Sequence, residues 1–283
     1  MNSPNPAEEN PVNPGQRTES ASELALFFTA LMFYTRLPCP TWTPHSDSAL
    51  NKATQYFPLI GWIVGAIAAA VFWLAAGYFS VLTAALLATA ATILVTGAFH
   101  EDGFADTCDG FGGGWTKSRI LEIMKDSRIG VFGALGLGML VAIKLSLIQD
   151  YFRSFSTIEG GISMLLFFIN AHTLSRFMAT SCVYFGTYAR SNDDVGAKAK
   201  PLAKSFEGKR YLLASTMALI PILLWFLLSG KAALLLIPIV MAIVTWRLLR
   251  YVERWIEGYT GDCLGAVQQI TEVVFYLAVV VVV

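Results

Sequence analysis

From Tyr56 to Phe79 the chain reads YFPLIGWIVGAIAAAVFWLAAGYF, without one charged side chain. A helix rises about 1.5 Å per residue and a bilayer's hydrocarbon core is about 30 Å thick, so about 20 such residues cross it. Outward from this span the same pattern recurs at roughly 81–99, 130–149, 161–185, 211–229, 232–250 and 264–283. The reading is an all-α, polytopic membrane bundle of about seven transmembrane helices. Composition agrees: 55% of residues are hydrophobic and 14% charged, against about 25% charged in soluble domains. The mean hydropathy is +0.57. Too few polar side chains exist to clothe a soluble sphere, which excludes a soluble globular protein. Twenty basic against 20 acidic residues give no general affinity for nucleic acid. The four cysteines form no CxxC pair, so free thiols are expected rather than a disulfide scaffold or zinc site.

Residues 1–22, rich in Pro, Asn, Ser and Glu, are expected to be a disordered tail, leaving 23–283 as a single integral-membrane domain. Leu24 to Tyr34 is too short to span unless its helix begins upstream, and reads as an interfacial or re-entrant helix. Alternating the connections distributes the basic residues unevenly. One side receives Arg17, Arg36 and Lys52, then Lys117, Arg119, Lys125 and Arg128, then Arg190, Lys198, Lys200, Lys204, Lys209 and Arg210, and lastly Arg247, Arg250 and Arg254. The other side receives only Arg153 and Lys231. The positive-inside rule puts the basic side, with the N-terminus and the 100–129 loop, in the cytoplasm.

That loop carries six acids between Glu101 and Asp126. In the stretch His100-Glu101-Asp102-Gly103-Phe104-Ala105-Asp106-Thr107-Cys108-Asp109-Gly110, Asp102, Asp106 and Asp109 share one helical face. Stacked carboxylates repel unless a cation lies between them, and oxygen ligands without cysteine favour Mg²⁺ or Mn²⁺ over Zn²⁺. A solvated acidic helix end is the plainer alternative. Glu122 and Asp126 form a second i, i+4 pair, on a short amphipathic helix expected to rest its apolar side on the membrane. The Gly112-Gly113-Gly114 run would connect it to the first set as a hinge or plain turn. Lys125 and Arg128 would offer charge to an anionic substrate.

Ionisable residues inside spans are functional by default. His172 and Arg176 share a face that could line a phosphate pocket or pair with a carboxylate, whereas Lys144 is expected to snorkel. Gly61 and Gly65, with Gly130, Gly133, Gly136 and Gly138, suit helix packing. Asp262, before the last span, is either a substrate contact or a helix N-cap.

These residues form a pattern. His100-x-Asp102-Gly103-x-x-Asp106-x-x-Asp109-Gly110 followed by Leu121-Glu122-Ile123-Met124-Lys125-Asp126-Ser127-Arg128-Ile129-Gly130 closely resembles the adenosylcobinamide-GDP ribazoletransferase family, also called cobalamin-5'-phosphate synthase. Phe33-Tyr34-Thr35-Arg36-Leu37-Pro38-x-Pro40, Tyr56-Phe57-Pro58-Leu59-Ile60-Gly61 and Thr260-Gly261-Asp262-x-Leu264-Gly265-Ala266 resemble its other motifs, in order, from about residue 24 to the end. The resemblance implies a bacterial cytoplasmic-membrane enzyme that joins adenosylcobinamide-GDP to α-ribazole, or its 5'-phosphate, and releases GMP with Mg²⁺. It implies metal ligands among Asp102, Asp106, Asp109, Glu122 and Asp126, with a base among the four aspartates. Substrate contacts would come from His100, Lys125, Arg128, Arg176 and Asp262. A homo-oligomer is compatible with it.

Two rival readings fit less well. CDP-alcohol phosphotransferases carry Asp-Gly-x-x-Ala-Arg, but Asp106 follows Ala105 here. Cation-coupled transporters hold their acids near the bilayer midplane, whereas these acids lie beyond a span's end.

Overall fold

The computed structural model describes residues 22–153, 160–189 and 206–282. The expected disordered tail and much of the basic 186–210 connection lie outside them. Among the described residues all regular structure is helical, apart from one isolated bridge between Tyr188 and Tyr259.

Six helices are long and apolar enough to cross a membrane, or seven if one bent pair is a single span. Five of the expected spans appear as single helices near their anticipated limits: α3 (Phe57–Ala76), α7 (Val131–Arg153), α8 (Gly160–Phe185), α9 (Gly208–Ser229) and α11 (Gly261–Val282). The sixth is α10 (Ile237–Ile256), preceded by a 3-10 turn at Ala232–Leu236. Their outward faces carry unpartnered apolar side chains such as Val131 and Leu227, as lipid contact requires. The first described helix, α1 (Glu23–Tyr34), has 12 residues, too few to cross, and packs against both α2 (Asp47–Ala53) and α3.

Between α3 and α8 the chain lacks side chains where the backbones meet. A Cβ on Gly61 would lie 2.6 Å from Thr173 Cα, and one on Gly65 would lie 2.6 Å from Ile169 Cα. Small residues four apart thus let the two helices cross closely, as expected. Gly130, Gly133 and Gly136 likewise face Asp109 and Cys108, but Gly138 faces open space and packs against nothing.

The main correction concerns 81–99. Helix α4 (Val81–Thr96) stops after 16 residues, and α5 (Phe99–Gly113) leaves it at 91°. Gly97 (φ 68°) and Ala98 (φ 59°) both take left-handed backbone at the corner, which ends a helix cheaply only at glycine. Arg36 sits in the corner. Its backbone N–H donates to the Val95 carbonyl at 2.7 Å, and its guanidinium fills the space where a Gly97 side chain would be. The 100–129 segment is therefore not an open loop. Its aspartates ride on a helix packed against α7 and α11.

Candidate active site

Helix α5 positions the first acidic set, and glycine decides how. Gly103 lies so close to α11 that a Cβ there would be 3.0 Å from Asp262 Cα. Gly265 answers it, since its Cβ would be 3.3 Å from Gly103 Cα. This crossing brings His100 and Asp102 together with Asp262 around one outer cavity that opens to solvent. Asp102 is exposed and Asp262 half-buried, while His100 is buried behind them. Thr260, not Asp262, caps α11, because the Cys263 N–H donates to Thr260 Oγ1 at 3.3 Å. A carboxylate in the first turn of a helix, as Asp262 is, is favoured by the helix dipole. Asp106 is half-buried, one turn beyond Asp102.

The third member of the face is placed differently. Asp109 is buried, and both its oxygens accept backbone N–H groups at the start of α7: Gly130 N at 2.7 Å and Gly133 N at 2.8 Å. It caps a neighbouring helix rather than standing open as a ligand. Asp109→Ala should therefore cost about 1–3 kcal/mol of stability by leaving two N–H groups unpaired. A lowered unfolding midpoint in detergent checks this; an unchanged one contradicts the capping role.

The second acidic set also departs from expectation. Helix α6 (Lys117–Ile123) turns Ile120 and Met124 onto α5, where both are buried, rather than onto a bilayer. The glycines make this possible: Gly110 leaves room for Met124, and Gly114 for Ile120. Gly112 and Gly113 lie within α5 and Gly114 caps it, so the run is a packing surface and not a free hinge. Glu122 points outward and accepts from Arg119 at 2.8 Å. Asp126 accepts from Arg128 NH2 at 2.6 Å and from the Arg128 backbone N–H at 3.1 Å. Those bonds hold its carboxyl at about 2, below the usual carboxylate range. Lys125 is exposed beside it. Among the described residues no three acid, histidine or cysteine side chains gather closely enough to cage a metal.

Arg176 does not line the outer cavity. It is buried behind Phe57, its guanidinium carbon 5.7 Å from that ring's centre, and NH1 donates to the His172 carbonyl at 3.0 Å. It belongs to an inner cavity that shares His100 with the outer one. Sequence reasoning missed the centre of this inner site, Glu272. Its Oε1 lies 3.0 Å from Lys144 Nζ and accepts the Tyr276 hydroxyl at 3.0 Å; its Oε2 accepts Gln268 Nε2 at 2.9 Å. Gln269 extends the network, accepting from Lys144 and donating to Glu101 Oε1 at 2.9 Å. Lys144 is thus a buried ion-pair partner and not a snorkelling residue. The signal was present: Gln268, Gln269 and Glu272 interrupt an otherwise apolar final span.

The sequence family described as cobalamin-5-phosphate synthase matches residues 26–280. The chain belongs to that family. Among the curated relatives, the adenosylcobinamide-GDP ribazoletransferase of Shewanella amazonensis is 44% identical over 256 residues, covering 90% of this chain and 94% of the relative. The namesake from Shewanella frigidimarina is 43% identical over 260 residues, covering 92% and 95%. That of Shewanella oneidensis is 42% identical over 267 residues, covering 94% and 98%. No solved structure matches the chain. Membership of the cobalamin-5-phosphate synthase family makes the chain a transferase of late cobalamin assembly, built as a multi-pass membrane protein.

Proposed function

We propose that this protein joins adenosylcobinamide-GDP to α-ribazole, or its 5'-phosphate, at the mouth of the outer cavity. The observation that carries the reading is the convergence of Asp102, Asp262 and His100 on that cavity, from two family motifs far apart in sequence. The ribose hydroxyl oxygen forms a bond to the phosphorus attached to cobinamide. The pyrophosphate P–O bond breaks, and GMP leaves with the electron pair. Asp102, the most exposed of the acids on α5, takes the hydroxyl proton and passes it to water.

The donor set suits Mg²⁺. That ion keeps several waters and takes one or two carboxylates plus substrate phosphates, so a preformed three-ligand cage is not needed. Two of Asp102, Asp106 and Asp262 would hold it. When bound it supplies charge neutralisation to the pyrophosphate and the departing GMP. Glu122 and Asp126, each paired with an arginine, are open to exchange those partners for an incoming phosphate–metal group, with Arg128 and Lys125 then facing phosphate. Purified protein given both substrates should release GMP with Mg²⁺ and stop in excess EDTA; undiminished release in EDTA would remove the metal from this scheme.

We also place the site on the cytoplasmic side of a bacterial inner membrane, from the basic-residue asymmetry. A cysteine at Ser118, exposed on α6, in a background without the native cysteines, should resist a membrane-impermeant thiol reagent in intact cells. Labelling in intact cells would invert the orientation.

A further inference from the structure

We propose that the interior of the outer cavity is the receptor for the flat benzimidazole base of the ribazole substrate; this rests on the transferase reading above. One wall is a run of near-parallel rings. Tyr34 stacks on Phe57 at 3.9 Å and 16°, and Phe57 stacks on His100 at 5.6 Å and 16°. The same cavity is lined by the short aliphatic side chains of Ala179 and Val183. Its charged groups sit at the solvent end, where Asp102 and Asp262 are the more exposed lining residues, while the buried hydroxyls of Thr54 and Thr180 already donate to the Leu50 and Arg176 carbonyls one turn earlier. A ligand fitting this gradient is aromatic at its inner end and carries hydroxyls at its outer end, which describes an aryl riboside.

The other substrate fits poorly. Guanine carries an exocyclic amine, a carbonyl and a ring N–H, and an interior whose polar side chains are Thr54, Thr180 and His100 beside aromatic and aliphatic groups leaves some of these unpaired, at a cost of about 1–3 kcal/mol each. Benzimidazole has no exocyclic polar group, and in the riboside a single ring nitrogen remains as an acceptor. His100, which lies between the outer and inner cavities, has a buried Nε2 without a hydrogen-bond partner, and its N–H form is the donor such a nitrogen needs. Seating the base inward leaves its ribose at the two carboxylates, where the hydroxyl must lose its proton.

The test needs first only the unmodified protein. Free benzimidazole should inhibit GMP release competitively against α-ribazole and not against adenosylcobinamide-GDP; competition against the GDP-linked substrate overturns the assignment. Val183→Phe, which fills the cavity, should raise the apparent KM for α-ribazole at least about tenfold and leave that for adenosylcobinamide-GDP within about twofold. An equal rise in both also overturns it. Absence of GMP release from the unmodified protein would defeat the transferase reading instead. The pocket is then decided by equilibrium dialysis of labelled α-ribazole with the unmodified and Val183→Phe proteins, where equal affinity overturns it.

Discussion

Glu272→Ala is expected to lower stability by at least about 3 kcal/mol, the usual result of stranding one partner of a buried ion pair. Glu272 and Lys144 are both almost wholly buried, so water cannot replace the lost carboxylate. Tyr276 loses its acceptor in the same step, and Gln268 keeps only Ser175 of its two. The damage should spread, because Gln269 links Lys144 to Glu101 and so ties α7 and α11 to α5. The measurement is the thermal unfolding midpoint in detergent, made alongside Lys144→Met and the double variant Lys144→Met/Glu272→Gln. Each single change should unfold well below the parent, and the double should recover part of the loss because Lys144 no longer leaves a buried ammonium without its carboxylate. Three unchanged midpoints would mean that the pair contributes nothing to the fold.

The second large effect is on chemistry. Asp102→Asn should reduce turnover by about 10²–10⁴-fold, the range lost when a positioned acid–base group is removed. Its side chain is exposed, so the unfolding midpoint should stay where it was. Asp109→Ala should show the converse, losing stability first. Measuring GMP release and melting on both variants separates the two aspartates. If Asp102→Asn keeps near-normal turnover, the proton must go to another group at the cavity mouth.

The legible and the hidden parts of this molecule differ for a physical reason. Long apolar runs such as 56–79 announce their helices, because length and hydrophobicity alone set a span. The spacing of Asp102, Asp106 and Asp109 correctly foretold one helical face, but not what lies opposite each carboxylate. That depends on where α7 begins, and so Asp109 became a cap for Gly130 and Gly133. The corner at Gly97 was hidden because 81–99 is apolar throughout, and periodicity carries no record of a left-handed Ala98. Ile120 and Met124 looked fit for lipid because an apolar face does not say whether lipid or Gly110 will meet it. Arg176 and Lys144 stood out as charges in spans, yet their grouping with Glu272 is a property of three helices meeting.

The right-angled corner at Gly97–Ala98 has a mechanical meaning. Helix α5 is braced at its start by Arg36, at its middle by the Gly103–Gly265 crossing, and near its end by Asp109 on α7. A rod pinned at three points can neither tilt nor slide. The exposed stretch after α6 is tied more loosely, since its Asp126–Arg128 clasp is solvent-facing and such a pair contributes little.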